Sequence, residues 1–356
     1  MNADFVNLSS AIRNEYLLKT EVLVAAQNQQ RLADFAGHFQ SVCAEIVKLQ
    51  NEASLPAISY IDYTMLYTNF IARKYVAEVW VYGHDWYCDK SQRMVGEYDL
   101  SFLFAYFDEL WNKLLTTRKR YVGKVTAQDV KTIMVQTLPD FYSYFVKIVR
   151  SAVKGLIDQK PFTDIAKNET FRLSVGDYMA KTKPVYAENK NKDAEALAEW
   201  FEEQLEKEYA FNDYSRLDFS GRSFMSAKFH YALFRYSCMN KVSFRYSVLN
   251  GVNFYKAQME DCCLENCSIY EADFSYAILK NANFINAYGP AGLPNEKEWR
   301  HAGFLPISFR YADLTNVDFR GADLTGADFT GAILDGAILD DTILDGAIFD
   351  DGIRKG

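Results

Sequence analysis

Two short segments combine residue types that could do chemistry. Residues 83–89 bring together a histidine, two aspartates and a cysteine, which could supply half of a metal or nucleophile site. Cys262, Cys263 and Cys267 form the second group, and neighbouring thiols could bind a metal. Neither segment has a matching second half, and the three cysteines lack the spacing of a structural zinc site. The alternatives are a loop with a capping aspartate for the first segment and small core residues for Cys262 and Cys267.

The rest of the sequence lacks the common catalytic and phosphate-binding motifs. It has no Walker loop, no GxGxxG after a strand, no HExxH, GxSxG or CxxC, and only four histidines. We therefore expect a protein that is not an enzyme, with no catalytic residue, no bound metal and no cofactor. The alternative is an active site within the N-terminal half, which a closed polar pocket with titratable groups would indicate.

Composition limits the compartment and the partners. The chain of 356 residues has a formal net charge of -8, so bulk attraction to nucleic acid or anionic membranes is not expected. No signal peptide is evident, and no apolar run reaches the ~18 residues that a membrane span needs. The six cysteines show no disulfide-scaffold spacing, which favours reduced thiols. We predict a cytoplasmic protein that binds neither nucleic acid nor membrane directly.

A period of five residues dominates the C-terminal half. Every fifth residue from Phe219 to Phe284 is large and apolar, and the same phase returns from Phe309 to Phe349. A small residue, most often alanine, stands two positions earlier in many units, frequently followed by aspartate or asparagine. This period fits neither a helix nor a flat strand, so the backbone must turn a corner in each unit. Units this short bury their apolar face only by stacking on neighbours, which predicts a solenoid.

These units resemble those of the pentapeptide repeat family, in which the unit is roughly Ala-Asp/Asn-Leu/Phe-x-x. Residues 272–276 are Ala-Asp-Phe-Ser-Tyr, and residues 322–326 are Ala-Asp-Leu-Thr-Gly. The resemblance implies a right-handed quadrilateral parallel β-helix with four units in each coil. We therefore predict a multidomain α+β protein in which a pentapeptide repeat solenoid occupies residues 212–353.

The N-terminal half is predicted to be an all-α helical domain over residues 1–192. Apolar residues at helical spacing indicate several helices, one of them over residues 60–82. The polar stretch at residues 181–192 predicts a linker at the end of this domain.

Two further helices are predicted from their first residues. Thr126 and Asp129 resemble a capping box, and Pro139 should bend or split the helix that follows. Asp193 is expected to cap an amphipathic helix within residues 193–211. Because the end of a solenoid exposes unpaired strands and an apolar cross-section, we predict that this helix covers the first coil.

Residues 288–306 interrupt the repeat. Two prolines and two glycines near the start of this segment cannot sustain ladder pairing, which favours an insertion loop over a degenerate coil. Trp299 is a candidate anchor for a partner on this loop. The alternative is a tolerated insertion whose tryptophan packs on the solenoid.

One column of the predicted solenoid is rich in tyrosine and cations. Residues twenty apart should stack on one face, so Tyr236, Lys256 and Tyr276 form a column, with Arg235 and Tyr255 beside it. Tyrosine and arginine are enriched in protein interfaces, so these five are candidate partner-binding residues. The alternative is an ordinary solvated surface.

The last coils are acidic and end in an apolar belt. Residues 307–356 contain 4 Lys and Arg against 10 Asp and Glu. Isoleucines occupy the slot that holds aspartate in the preceding units. The belt consists of Ile333, Ile338, Ile343 and Ile348, with Phe349 at the end of the repeat. An uncapped solenoid end should pair with something, which predicts a homodimer through the C-terminal coil.

These features favour a non-enzymatic protein-protein interaction or scaffold protein. The alternative is a DNA mimic, because some pentapeptide repeat proteins resemble duplex DNA and bind the type II topoisomerases DNA gyrase or topoisomerase IV. Such proteins inhibit the enzyme or protect it from topoisomerase poisons. Residues 215–287 carry 8 Lys and Arg against 6 Asp and Glu, whereas a duplex mimic needs negative charge along its length. A host-directed or secretion-linked effector is a third hypothesis.

Overall fold

The computed structural model describes residues 2–88, 90–177, 182–203, 209–292 and 305–350. These residues divide into two compact units, with the boundary between residues 185 and 186. Within the described ranges, no helix is both long enough and apolar enough to cross a membrane.

Five helices belong to the first unit. They are α1 (Ala3–Ala26), α2 (Asn28–Asn51), α3 (Tyr67–Ile71), α4 (Ser101–Thr117) and α5 (Ala127–Val153). The capping box at the start of α5 is present, since Thr126 Oγ1 accepts from the Asp129 N–H at 3.1 Å and the Asp129 carboxylate accepts from the Thr126 N–H at 2.7 Å. Pro139 lies inside α5 without splitting it, because buried Leu138 and Phe141 fix the helix on both sides of the proline.

A five-stranded sheet shows that the prediction of an all-α N-terminal half was wrong. Its strands are β1 (Ile58–Met65), β2 (Val76–Tyr82), β3 (Arg93–Asp99), β4 (Lys167–Asp177) and β5 (Thr182–Asn189). They lie in the order β3-β2-β1-β4-β5, with β1 antiparallel to β2 and parallel to β4. The N-terminal part therefore combines helices with a mixed sheet.

Burial explains why two segments of this sheet were mistaken for other elements. The predicted helix over residues 60–82 is replaced by β1, α3 and β2. Both faces of β1 are covered, since Ile61 and Tyr63 are buried and so are Asp62 and Thr64, which hides the alternation of a strand. The predicted linker at residues 181–192 contains β5, an edge strand, and edge strands tolerate polar residues.

Aromatic side chains form much of the core between helices and sheet in the first unit. The Tyr63 ring of β1 lies 5.3 Å from the Phe35 ring of α2 and 5.9 Å from the Phe145 ring of α5. His38 packs beside them, and burial lowers its pKa to about 4. A neutral histidine in an apolar core contributes packing rather than charge.

The second unit begins within β5, contains α6 (Ala194–Glu202) and continues as a repeat β-helix. Parallel bridges join residues twenty apart, beginning with Asp213 and Leu233, so four five-residue units make one coil. Of the 23 large apolar residues at the fifth positions, 19 are buried, and the other four lie half-buried in the last coil. The predicted solenoid is thereby confirmed as a β-helix, and its right-handed quadrilateral form stays a prediction.

The pairing register changes at the interruption. Asp273 pairs with Ser308, a separation of 35 residues, and Tyr288 pairs with Asp323 at the same separation. The separation increases by 15 residues, and the coils before and after the interruption pair directly with each other. Trp299 lies outside the described residues.

Phe201 of α6 covers the first coil. Its side chain is fully buried, and the segment between α6 and the rod contributes Tyr209 to the same cluster. The Phe201 ring centroid lies 4.9–5.7 Å from those of Tyr209, Tyr214, Phe219, Phe224 and Phe229. Asp193 holds the start of α6, since its carboxylate accepts from the Glu195 N–H at 3.0 Å. The apolar cross-section of the first coil is therefore shielded by side chains of its own chain.

Candidate partner-binding surface

One position in each five-residue unit has a left-handed backbone. Every fifth residue from 216 to 286 and from 311 to 346 has a φ between 54° and 75°. Glycine takes this conformation freely and asparagine tolerates it, whereas it costs other residues about 1–2 kcal/mol. The corner of each unit therefore favours Gly or Asn unless a larger side chain has another role.

Stacking of the coils brings these positions into columns, and the columns differ in composition. The column that begins at residue 221 contains Gly221, Lys241, Asp261, Asn281, Asn316 and Gly336. The column that begins at residue 226 contains Ser226, Tyr246, Asn266, Asn286, Gly321 and Asp341. The column that begins at residue 216 contains Arg216, Tyr236, Lys256, Tyr276 and Tyr311 before its first glycine, Gly331. Among the described residues, only this last column holds five large side chains at left-handed positions in successive coils. Because that conformation is costly for such residues, their presence indicates a function.

These side chains and one neighbour form a continuous aromatic and cationic surface. We name it the tyrosine–cation ladder and define it as Arg216, Tyr236, Tyr255, Lys256, Tyr276 and Tyr311. The Tyr236 and Tyr255 rings meet edge to face at 5.7 Å, and Tyr255 meets Tyr276 in the same way at 5.6 Å. Tyr276 then stacks on Tyr311 at 4.9 Å. The four rings therefore support one another along the rod axis.

Cations lie against these rings. Lys256 Nζ is 5.9 Å from the Tyr236 ring centroid, 5.3 Å from that of Tyr255 and 5.6 Å from that of Tyr276. The Arg216 guanidinium carbon is 4.7 Å from the Tyr236 ring centroid. Within the described part of the chain, neither cation has a carboxylate oxygen within 4.0 Å. The tyrosine ring faces stabilise these two positive charges, and no carboxylate neutralises them.

The predicted surface residues differ from one another in how exposed their side chains are. Tyr236 and Tyr276 are exposed at 40% and 45%, and Lys256 lies exposed between them. Arg235 is 7% exposed, and desolvation lowers the pKa of its guanidinium, so its charge is not presented on this surface. Sequence reasoning missed Arg216, which stands one twenty-residue step before Tyr236. It also missed Tyr311, because the 15 additional residues of the interruption increase its separation from Tyr276 to 35.

Comparison with known proteins finds a match within the repeat β-helix. The family described as "Pentapeptide repeats" matches residues 227–266 and 311–351, in eight copies. The C-terminal half of the chain therefore carries pentapeptide repeats within residues 227–351. Its ladder of parallel bridges twenty residues apart occupies the same part of the chain as this match. No curated protein matches the chain.

Solved structures similar to the chain include proteins described as pentapeptide repeat proteins. Rfr23 from the cyanobacterium Cyanothece 51142 is 18% identical over 44% of this chain and 100% of its own, with a TM-score of 0.22. HetL from the cyanobacterium Nostoc sp. strain PCC 7120, involved in heterocyst differentiation regulation, is 18% identical over 46% of this chain and 100% of its own, with a TM-score of 0.16. QnrB1, a plasmid-mediated fluoroquinolone resistance protein, is 15% identical over 39% of this chain and 94% of its own, with a TM-score of 0.17.

The last coil of the pentapeptide repeat domain presents a second surface. Ile333, Ile338, Ile343 and Ile348 are 49%, 39%, 47% and 51% exposed. Each pairs with a residue of the preceding coil, and among the described residues no strand pairs with the outer side of this coil. The Phe349 ring stacks on Phe329 at 4.9 Å and is half-buried. This end therefore exposes apolar side chains together with an unpaired strand edge.

Two of the three clustered cysteines of the solenoid contribute to its packing, whereas Cys263 is partly exposed. Cys262 and Cys267 are buried, and their thiols donate to the carbonyl oxygens of Met239 at 2.7 Å and Phe244 at 2.9 Å. Burial raises the pKa of both thiols to about 12, which keeps them protonated. Among the residues that the structure describes, no group of three or more His, Cys, Asp and Glu is arranged to hold a metal ion.

The histidine segment at residues 83–89 has a structural partner in the first unit. Trp86 Nε1 donates to the buried Asp62 carboxylate at 2.8 Å, and the Ser174 hydroxyl donates to the same carboxylate. Burial raises the pKa of Asp62. His84 Nδ1 lies 3.2 Å from Asp85 Oδ1, and both side chains are exposed. The tryptophan therefore fastens this loop to the sheet, while the His–Asp pair lies on the surface.

Proposed function

We propose that this chain is a non-enzymatic protein-protein interaction protein, a scaffold whose solenoid presents the tyrosine–cation ladder to a protein partner. The observation that supports the proposal is the presence of large side chains at left-handed backbone positions in five successive coils of one column. Asparagine or glycine stands at the equivalent corner of many units in the neighbouring columns. The ladder also provides what hot spots commonly use, namely tyrosines of limited conformational freedom with cations beside them.

Site-specific photocrosslinking tests this proposal. A benzophenone amino acid placed at position 276 in the native organism should give a discrete crosslink to a partner protein. Position 246 provides the matched control, because Tyr246 has the same left-handed backbone and is 57% exposed in another column. Equal crosslinking from both positions, or none from position 276, would contradict a binding role for the ladder.

We further propose that two copies associate tail to tail through the last coil. The exposed isoleucines and the open outer edge of this coil support the proposal, since such edges pair readily with another strand. A symmetric pairing of the same coil closes the assembly and leaves no further open edge. Sedimentation velocity at micromolar concentration should show a dimer. A monomer throughout that range would exclude this association.

Binding to DNA gyrase or topoisomerase IV as a DNA mimic is the second candidate function. The exposed carboxylates of the last coils favour it; they are Asp335, Asp340, Asp345 and Asp350. The uncompensated cations of the ladder oppose it, because an enzyme that binds duplex DNA prefers continuous negative charge. A supercoiling assay with purified gyrase decides the matter. If micromolar protein neither inhibits gyrase nor protects it from a quinolone, this candidate is excluded.

A further inference from the structure

We infer that the tyrosine–cation ladder binds an extended acidic segment of its partner, an inference that rests on the interaction function proposed above. The surface would recognise carboxylates spaced three residues apart in a polyproline-like segment. Three features of the ladder support this choice of ligand: its unneutralised cations, its hydrogen-bond donors and its spacing.

The cations of the ladder differ from several others on the solenoid, although Lys228 and Lys241 likewise have no carboxylate partner among the described residues. Four other cations of the solenoid each have a carboxylate of their own chain. The pairs are Arg245 with Glu265, Lys280 with Asp313 at 3.3 Å, Arg310 with Asp328 at 2.8 Å, and Arg320 with Asp318 at 2.6 Å. Arg216 and Lys256 have no such partner among the described residues. A carboxylate from outside would therefore meet positive charge that the chain itself leaves unpaired.

Hydrogen-bonding capacity points the same way. The phenol hydroxyls of Tyr236, Tyr255 and Tyr276 form no hydrogen bond within the described residues, so their O–H groups are available as donors. Two cations and three hydroxyls make a surface rich in donors, which suits a ligand rich in acceptor oxygens. Because the rings already contact one another, no two of them stand apart to receive a nucleobase. This packing favours an acidic peptide over single-stranded nucleic acid.

The spacing of the cations fixes the form of the segment. Arg216 and Lys256 are separated by two coils, which is about 10 Å at the ~4.8 Å spacing of stacked strands. Three residues of a polyproline II helix span about 9 Å. Carboxylates at positions i and i+3 would then face the two cations, and the intervening prolines would pack on the tyrosine rings. A segment with the pattern Glu-Pro-Pro fulfils these conditions.

Fluorescence anisotropy of the whole chain with labelled peptides tests the inference. The probe is a fluorescein-labelled twelve-residue peptide that repeats Glu-Pro-Pro, and the comparison peptide repeats Gln-Pro-Pro. We expect the Glu peptide to bind about tenfold more tightly, and the difference to shrink as salt rises from about 25 to about 300 mM. Equal affinity for the two peptides would overturn the inference. The same holds if a labelled oligothymidylate of about twelve nucleotides binds as tightly as the Glu peptide.

Two variants and one matched control locate the site. Lys256→Gln removes a cation, and Tyr276→Asn removes a ring while keeping a residue that accepts the left-handed backbone. Each should weaken binding of the Glu peptide about tenfold. Tyr246→Asn makes the same replacement at an exposed corner with φ 61° in another column, and it should leave the affinity unchanged. An equal loss in Tyr246→Asn would place the binding elsewhere and overturn the inference.

Failure of this inference is distinguishable from failure of the proposed function. If position 276 crosslinks to a partner but the Glu and Gln peptides bind equally, the acidic segment is wrong and the interaction function stands. If the Glu peptide binds the ladder selectively and position 276 gives no crosslink in the native organism, the chemistry of the surface is supported and the cellular role is wrong.

Discussion

The first and the last coil of the solenoid are built from the same kind of unit and end differently. At the first coil, Phe201 is fully buried within 6 Å of five other ring centroids. At the last coil, Leu334, Leu339, Leu344 and Phe349 are only half-buried. A repeat that buries its core by stacking needs cover at both ends. Among the described residues the chain supplies this cover at the first coil and not at the last, which supports the tail-to-tail association proposed above.

The last coil lacks a side-chain hydrogen bond that the preceding coil forms, and it exposes apolar side chains in its place. In the preceding units an aspartate accepts from the backbone N–H two residues later, as Asp313 does from Thr315 and Asp328 from Thr330. Ile333 and Ile348 stand in the same columns one coil further on and cannot form this bond. Such a hydrogen bond contributes about 0.5–1.5 kcal/mol, so its loss in four units is a considerable cost. Gain of a binding surface would offset that cost.

Truncation of the covering side chain should have the largest effect. Phe201→Ala removes a fully buried ring and should lower the free energy of unfolding by about 3–5 kcal/mol. Phe349→Ala removes a half-buried ring and should cost about 1–2 kcal/mol when measured at concentrations that keep the chain monomeric. Urea unfolding followed by circular dichroism provides both values. Equal losses would show that the two ends are covered alike and would break the comparison.

The apolar belt should govern self-association. Ile338→Asn places at the last coil the residue that the same column carries at Asn283, so the fold should tolerate it. It should weaken the dimer at least about tenfold. Ile278→Asn is the matched control, because Ile278 is 38% exposed in the middle of the rod. Sedimentation equilibrium of both variants checks the prediction, which is contradicted when the two dissociate alike.

The rod was predictable from sequence because its information is local and repeated. Each unit carries a large apolar residue, so the period survives individual departures such as Arg222, which stands where most units have a small residue. The sheet was not predictable in the same way. β1 is buried on both faces and shows no alternation, and its pairing with β4 joins segments about a hundred residues apart, which no local pattern reports.

The candidate surface was predictable in part. The twenty-residue rule places Tyr236, Lys256 and Tyr276 in one column, as the bridges do. It gives no information on how deeply a side chain lies, so buried Arg235 was grouped with its exposed neighbours. The rule also fails across an insertion of unknown register, which separates Tyr276 from Tyr311. A search for corner positions without Gly or Asn would have found the whole column.

Backbone strain should be equal at the two ends. Gly221 and Gly346 have φ of 74° and 67°, and a Cβ added at either would meet no atom within 4 Å. Alanine at each position should therefore cost about 1 kcal/mol for the left-handed conformation alone. Urea unfolding of both variants under monomeric conditions checks this. A markedly larger loss at Gly346 would mean that the ends differ in backbone as well as in cover.

The smallest effect concerns the aspartate that precedes the isoleucine belt. Hydrogen bonds from the Arg320 guanidinium hold the pKa of the Asp318 carboxyl below its ordinary value. A depressed pKa stabilises the folded state above the unfolded value of about 3.9, and this contribution is lost as the pH falls through the folded value. Because the Arg320 side chain is about half exposed and solvent screens the pair, Arg320→Gln should lower the free energy of unfolding only slightly at neutral pH and not at all at pH values well below the folded pKa. An NMR titration of Asp318 should show its pKa rising in the variant. An unchanged pKa would mean that the backbone N–H of Arg320, which donates to the Asp318 carboxylate at 3.1 Å, is what stabilises the charged form; the isoleucines of the last coil have no carboxylate to accept such a bond.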